Sequence, residues 1–151
     1  MDHLSLAEVE TIARRAHAGQ TDKNGRPYTE HLAAVAQGVA QRGGSEEQIA
    51  AGWLHDAIED DALSREWLAA AALSDTTKAI VDALTKRPGE PLEEYTARIL
   101  ATPGALVVKQ ADLAHNSDPA RLASLDPATA ERLAAKYRRT RDLLGLDPAS
   151  G

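Results

Sequence analysis

One stretch of the chain concentrates the side chains able to do chemistry: WLHDAIEDDA, Trp53 to Ala62. It sets His55 and four carboxylates (Asp56, Glu59, Asp60 and Asp61) directly after the apolar run IAAGWL, on what reads as the end of a core helix. Burying so many ionisable groups without compensation is unfavourable. Negative charge at a helix C-terminus also opposes the macrodipole. The cluster is either a solvated turn or the seat of a positive charge.

Two other residues supply partners for it. His31 lies 24 residues before His55, in YTEHLAAVA, just ahead of an apolar stripe. Asp112 lies 56 residues after Asp56, in VVKQADLAHN, where Val107, Val108 and Ala111 mark a buried helix. On a continuous helix Glu59 stands i+4 from His55 and i+3 from Asp56, one turn on along the same face. Two imidazoles and two carboxylates of this kind form an N2O2 set for one divalent cation, with room left for water. Taken singly, each residue has a plainer reading. His31 reads as a satisfied core histidine, Asp112 as a buried acid paired with Lys109 or Arg121, and Glu59 to Asp61 as a solvated turn.

The elements that must position these groups read as helices. The composition has no Phe, no Cys, two Trp and three Tyr, so strand-filling aromatics are scarce. Capping boxes at Ser5/Glu8 and Ser45/Gln48 open two helices, the second carrying the acidic stretch. A helix from about Thr29 to Gln41 lies between them, after the loop punctuation of Gly19, Asn24-Gly25 and Pro27. Ser64, Ser74, Pro91, the TPG before Ala105 and Asp126-Pro127 start five more. The expectation is an all-α fold of seven or eight helices, a single domain over 1–151 with a frayed tail from about residue 146.

A net charge of −6 argues against a nucleic-acid binder working through a broad basic face. No apolar run approaches the ~18 residues needed to cross a bilayer. The acidic N-terminus MDHLSLAEVE lacks the apolar core of a signal peptide, and the lack of Cys is compatible with a reducing compartment. The expected location is the cytoplasm, with a small-molecule partner and neither nucleic acid nor membrane.

The stretches AHAGQTDKNGRPYTEH, AAGWLHDAIED and VVKQADLAHNSD, in that order, resemble the successive motifs of HD-domain metal-dependent phosphohydrolases. More narrowly, they are similar to the single-domain alarmone hydrolases related to the hydrolase half of the Rel/SpoT proteins. The resemblance runs from about Ile12 to Leu144. It implies His31, His55, Asp56 and Asp112 as ligands of one metal, Mn²⁺, with Glu59 and Asp60 as the catalytic pair beside it. It further implies Lys23, with Arg26 as second candidate, in the substrate loop, Asn116 at the ribose and Tyr137 near the nucleotide. Lys23 and Arg26 read equally as solvated loop charges, and Tyr137 as a core tyrosine. Lys86, Lys109 and Arg138 are basic residues placed either near phosphates or on the surface.

The activity the resemblance implies is removal of the 3′-pyrophosphate of (p)ppGpp, leaving GDP or GTP. Two alternatives stand beside it: hydrolysis of another nucleotide (pppApp, a nucleoside monophosphate or a phosphorylated dinucleotide), or a non-catalytic nucleotide- or protein-binding module. The full complement of metal and acid positions argues against the last. The chain departs from the family pattern at Asp22, at Leu32 where Pro is usual, and at Ser117, Asp118 and Pro119 after the Asn.

Overall fold

The computed structural model describes residues 2–146, and over them the fold is all-helical. Nine helices are present among the described residues: α1 (Leu6–Ala16), α2 (Tyr28–Gln41), α3 (Glu46–Leu54), α4 (Arg65–Ala70), α5 (Asp75–Leu84), α6 (Leu92–Ala101), α7 (Ala105–Asn116), α8 (Pro119–Ala123) and α9 (Pro127–Leu144). The helix beyond the eight legible in the sequence is α8, a single turn capped by the Asp118 side chain, too short to carry a periodic signal.

Both expected capping boxes form. Ser5 Oγ accepts from Glu8 N at 3.1 Å while Glu8 Oε1 accepts from Ser5 N at 2.9 Å. Ser45 and Gln48 repeat the exchange, and Gln48 Nε2 also donates to Gly104 O at 3.1 Å, tying the start of α3 to the start of α7.

Helix α3 lies among α1, α2, α5 and α7, and α2 packs on both α3 and α7. Leu32, Val35, Val39, Leu54, Ile80, Val81, Val108 and Leu113 fill the space between them and are almost wholly buried. Two glycines let these helices approach. A Cβ on Gly52 would lie 3.3 Å from Ala36 Cα, and one on Gly38 would lie 3.1 Å from Ala111 Cβ. The α2–α3 and α2–α7 crossings are thus at backbone distance, and this brings His31, His55 and Asp112 to one point.

The acidic stretch is not helical throughout, which corrects the picture of five charges on one helix. Helix α3 ends at Leu54, and residues 55–62 continue as a series of turns, with Ala57 N bonding Leu54 O at 3.0 Å and Asp60 N bonding Asp56 O at 3.0 Å. Asp61 turns the chain away with φ of 57°, a left-handed conformation that Asp tolerates better than most residues. Glu59 and Asp60 therefore lie beyond the helix, where turns rather than a helix face aim them.

The loop between α1 and α2 is also built. Asp22 Oδ1 accepts from the Asn24 and Arg26 amides, each at 2.9 Å, and Asp22 Oδ2 accepts from Arg121 Nη1 at 3.1 Å. Asn24 Nδ2 donates to Arg121 O at 2.7 Å, so the loop hooks onto α8. At the other end, Leu146 N bonds Arg141 O at 2.9 Å and its side chain packs on the core; the rest of the stretch read as frayed, 147–151, lies outside the described residues. Among the described residues no helix is long and apolar enough to cross a membrane.

Candidate metal and catalytic site

His31 in the first turn of α2, His55 and Asp56 just past α3, and Asp112 in the second half of α7 converge. One donor atom from each lies within 4.8 Å of the others. His31 Nε2 is 3.0 Å from Asp112 Oδ1 and 3.7 Å from Asp56 Oδ2. His55 Nε2 is 3.0 Å from Asp56 Oδ2 and 3.2 Å from Asp112 Oδ1. Both imidazoles are buried, as is Asp112.

The tautomers decide what this cluster needs. His55 Nδ1 lies 2.7 Å from Gly52 O, an acceptor only, so Nδ1 carries a proton. In a neutral imidazole Nε2 is then a bare lone pair facing two carboxylate oxygens. The arrangement is stable only with a positive charge between them. Burial alone disfavours a charged His55, but Asp56 and Asp112 outweigh it and hold its pKa well above the usual value. Burial likewise works against ionised Asp56 and Asp112, yet His55 draws Asp56 down to about 2 and Lys109 draws Asp112 well below the ordinary range. Lys109 Nζ is 2.9 Å from Asp112 Oδ2, so the pairing read from the sequence forms while Oδ1 stays turned to the histidines. Two ionised carboxylates and two imidazole nitrogens around one point fit a divalent cation.

Three contacts that sequence reasoning passed over orient two of these donors and the neighbouring Asp60. Tyr28 OH bonds Asp56 Oδ2 from three residues before His31. His115 Nδ1 is 2.7 Å from His31 Nδ1, and the two rings stack with centroids 5.0 Å apart. Gln20 Nε2 donates to Asp60 Oδ2 at 3.0 Å, while Gln20 Oε1 is 2.8 Å from Nδ1 of buried His17. Spacing could have flagged two of them: Tyr28 and His115 each stand one turn from a proposed ligand on the same helix. Gln20 gave no such signal, because its partner is 40 residues away.

The cluster forms the floor of a cleft of about 400 Å³. Glu59 and Asp60 line it. Glu59 Oε1 accepts from the Lys86 amide at 2.8 Å. Burial raises the pKa of both carboxyls, with nearby Asp56 adding to the effect. Lys23, Asn116 and Tyr137 also line the cleft, and Asn116 Nδ2 donates to Asp112 Oδ1 at 3.1 Å. Tyr137 is at the same time packed on the core. Lys86 and Lys109 belong to the wall, whereas Arg26 is exposed and paired with Glu30 at 2.6 Å. Arg138 is a surface residue. Of the departures from the family pattern, Ser117 bonds Leu113 O and Asp118 caps α8, neither lining the cleft; Leu32 is core; Asp22 lines the cleft but is occupied by Arg121.

An all-α domain with a buried His/Asp cluster at the base of a polar cleft defines a class of metal-site proteins. The chain belongs to the HD domain family, whose pattern matches residues 11–98. It is 33% identical over 152 aligned positions to a protein of Synechocystis sp. named probable guanosine-3′,5′-bis(diphosphate) 3′-pyrophosphohydrolase, covering 93% of this chain and 19% of that protein. A Haemophilus influenzae protein named guanosine-3′,5′-bis(diphosphate) 3′-pyrophosphohydrolase is 34% identical over 82% of this chain and 19% of its own length. A Streptomyces coelicolor protein named GTP pyrophosphokinase is 35% identical over 70% of this chain and 13% of its own. The chain thus spans about a fifth or less of the length of these curated relatives.

Proposed function

We propose that the chain is a Mn²⁺-dependent phosphohydrolase that removes the 3′-pyrophosphate of (p)ppGpp-like alarmones, leaving GDP or GTP. The observation that carries the proposal is His55 Nε2 set 3.0 Å from Asp56 Oδ2 and 3.2 Å from Asp112 Oδ1 at the floor of a cleft lined by two more carboxyls. The names of two relatives supply the substrate class. A cavity of about 400 Å³ is of the size that small-molecule ligands occupy.

In this reading His31, His55, Asp56 and Asp112 hold the cation, which when bound polarises a phosphoryl oxygen and acidifies a water. Glu59 orients the attacking water and takes its proton; Oε1 is fixed by the Lys86 amide, which leaves Oε2 for that task. Its raised pKa makes it a better proton acceptor than an ordinary exposed carboxylate. Asp60, steadied by Gln20, orders the water network beside it. The water oxygen attacks the phosphorus next to the ribose 3′-oxygen, the P–O bond to that oxygen breaks, the 3′-oxygen takes up the proton that Glu59 accepted, and pyrophosphate and the 3′-hydroxyl nucleotide leave. Lys23 meets the phosphates, Asn116 the ribose, and Tyr137 packs against the nucleotide. Residues 1–151 form one hydrolase unit acting in the cytoplasm.

The test is a panel of ppGpp, pppApp and nucleoside monophosphates offered to Mn²⁺-loaded protein. Pyrophosphate release from ppGpp by the wild type, abolished in Asp56→Ala, is expected. No release from a site shown to be filled overturns the proposal.

A further inference from the structure

The turn that carries Glu59 has no helical register to aim its carboxylate. The side chain accepts a hydrogen bond from the Lys86 amide, in the loop 85–91 between α5 and α6. That loop is held from one point. Arg98 on α6 donates through Nη2 to Thr85 O at 3.0 Å and through Nε to Ala83 O at 3.3 Å. Its guanidinium also grips the Glu90 carboxylate with two nitrogens, one of them 3.0 Å from Oε1. Glu90 Oε1 in turn accepts from the Arg87 amide at 3.2 Å. The Glu90 side chain is only 6% exposed and that of Arg98 18%. One planar cation therefore ties the end of α5, the far end of the loop and α6 together, with the Lys86 amide between the tied points.

We infer that Arg98, through Glu90 and the Thr85 carbonyl, is a positioning residue that fixes the loop so that the Lys86 amide aims Glu59. The inference rests on the hydrolase reading above. It follows from the geometry that the guanidinium's shape matters as well as its charge. A lysine's single nitrogen lacks the spread of donor atoms by which Arg98 reaches Glu90 and both carbonyls, so Arg98→Lys loosens the loop while keeping the positive charge. Loss of a defined carboxylate direction lowers the rate of the chemical step more than it weakens binding.

The experiment compares Arg98→Lys with two changes at position 86. Lys86→Pro deletes the amide donor itself. Thr85 before it has φ of −82° and ψ of 105°, the extended conformation that a residue preceding proline prefers. Lys86→Ala keeps the amide and sets the baseline for loss of the side chain. Expected are a fall in kcat of roughly tenfold or more in Arg98→Lys and in Lys86→Pro relative to Lys86→Ala, with KM and Mn²⁺ affinity held within about twofold. The Lys86 amide should also exchange its hydrogen faster in Arg98→Lys. Arg98→Lys that melts earlier yet keeps kcat overturns the inference, as does equal turnover in Lys86→Pro and Lys86→Ala. If Arg98→Lys fails to fold, Glu90→Gln, which removes the carboxylate that Arg98 grips, takes its place in the comparison with the same expected fall in kcat. Glu59→Gln is run beside them: unchanged turnover there overturns the role of Glu59 itself, whereas a dead Glu59→Gln beside an active Arg98→Lys overturns only the positioning role.

Discussion

Nδ1 of His31 lies 2.7 Å from Nδ1 of His115, so a buried histidine facing the site is held from behind by a second histidine. Burial, with the help of His31, pushes the His115 pKa down to about 4. An uncharged His115 can accept the bond through Nδ1, with Nδ1–H of His31 as donor, while His31 Nε2 is the nitrogen turned to Asp112. His115→Phe should weaken Mn²⁺ binding by about 10–100-fold, as loss of a ligand's supporting bond does. His115→Gln, which can still accept, should recover part of it. Calorimetric titration of the metal-free proteins with Mn²⁺ reads this; equal affinities in all three refute it.

Tyr28 acts on the other side of the cluster, bonding Asp56 through its hydroxyl while its ring stacks on His17. Tyr28→Phe keeps the ring and should lower Mn²⁺ affinity severalfold with a loss of stability of about 1 kcal/mol. Thermal melts with and without metal separate the two effects. A melt unchanged in both conditions contradicts the assignment.

Gly52 sets the distance between α2 and α3. Gly52→Val should destabilise the fold by about 1–3 kcal/mol, because the added carbons meet Ala36 backbone that cannot yield. Urea unfolding measures this directly, and an unchanged midpoint would show that the crossing has slack.

Glu90 gives a pH signature away from the metal cluster. Its bond with Arg98 holds the carboxyl down at about 2, against 4.5 for an ordinary glutamate. A folded-state pKa below the unfolded one adds stability that is complete above about 4.5 and lost as pH falls through about 2. Glu90→Gln should therefore be less stable than wild type at pH 7, with the gap narrowing between those values. Unfolding free energies across that range test the sign; a gap that widens toward acid contradicts it.

The helices were legible because their signals are local. Ser5/Glu8 and Ser45/Gln48 announce their helices within four residues, and the stripes of α2 and α7 announce their buried faces. His31, His55, Asp56 and Asp112 could be grouped because each sits beside such a stripe. The single turn of α8 and the end of α3 at Leu54 were not legible. The first is too short to carry a periodic signal, and the second is set by turns of three to five residues inside a stretch whose spacing still reads as helix. The support of Glu59 was hidden for a stronger reason: the donor is a backbone amide, which carries no residue type at all.

The meeting of Asp56 and Asp112 also bears on the lifetime of the protein. In the unfolded chain these two acids are far apart and well hydrated; in the fold they face each other across a few ångströms. Without a metal, His55 and Lys109 are the positive groups that offset their repulsion, whereas a metal cation that binds only the native cluster would add stability by mass action. The same four side chains thus serve as a gauge of the surrounding ion supply. Under the proposed function, protein short of the ion would lose turnover and stability together.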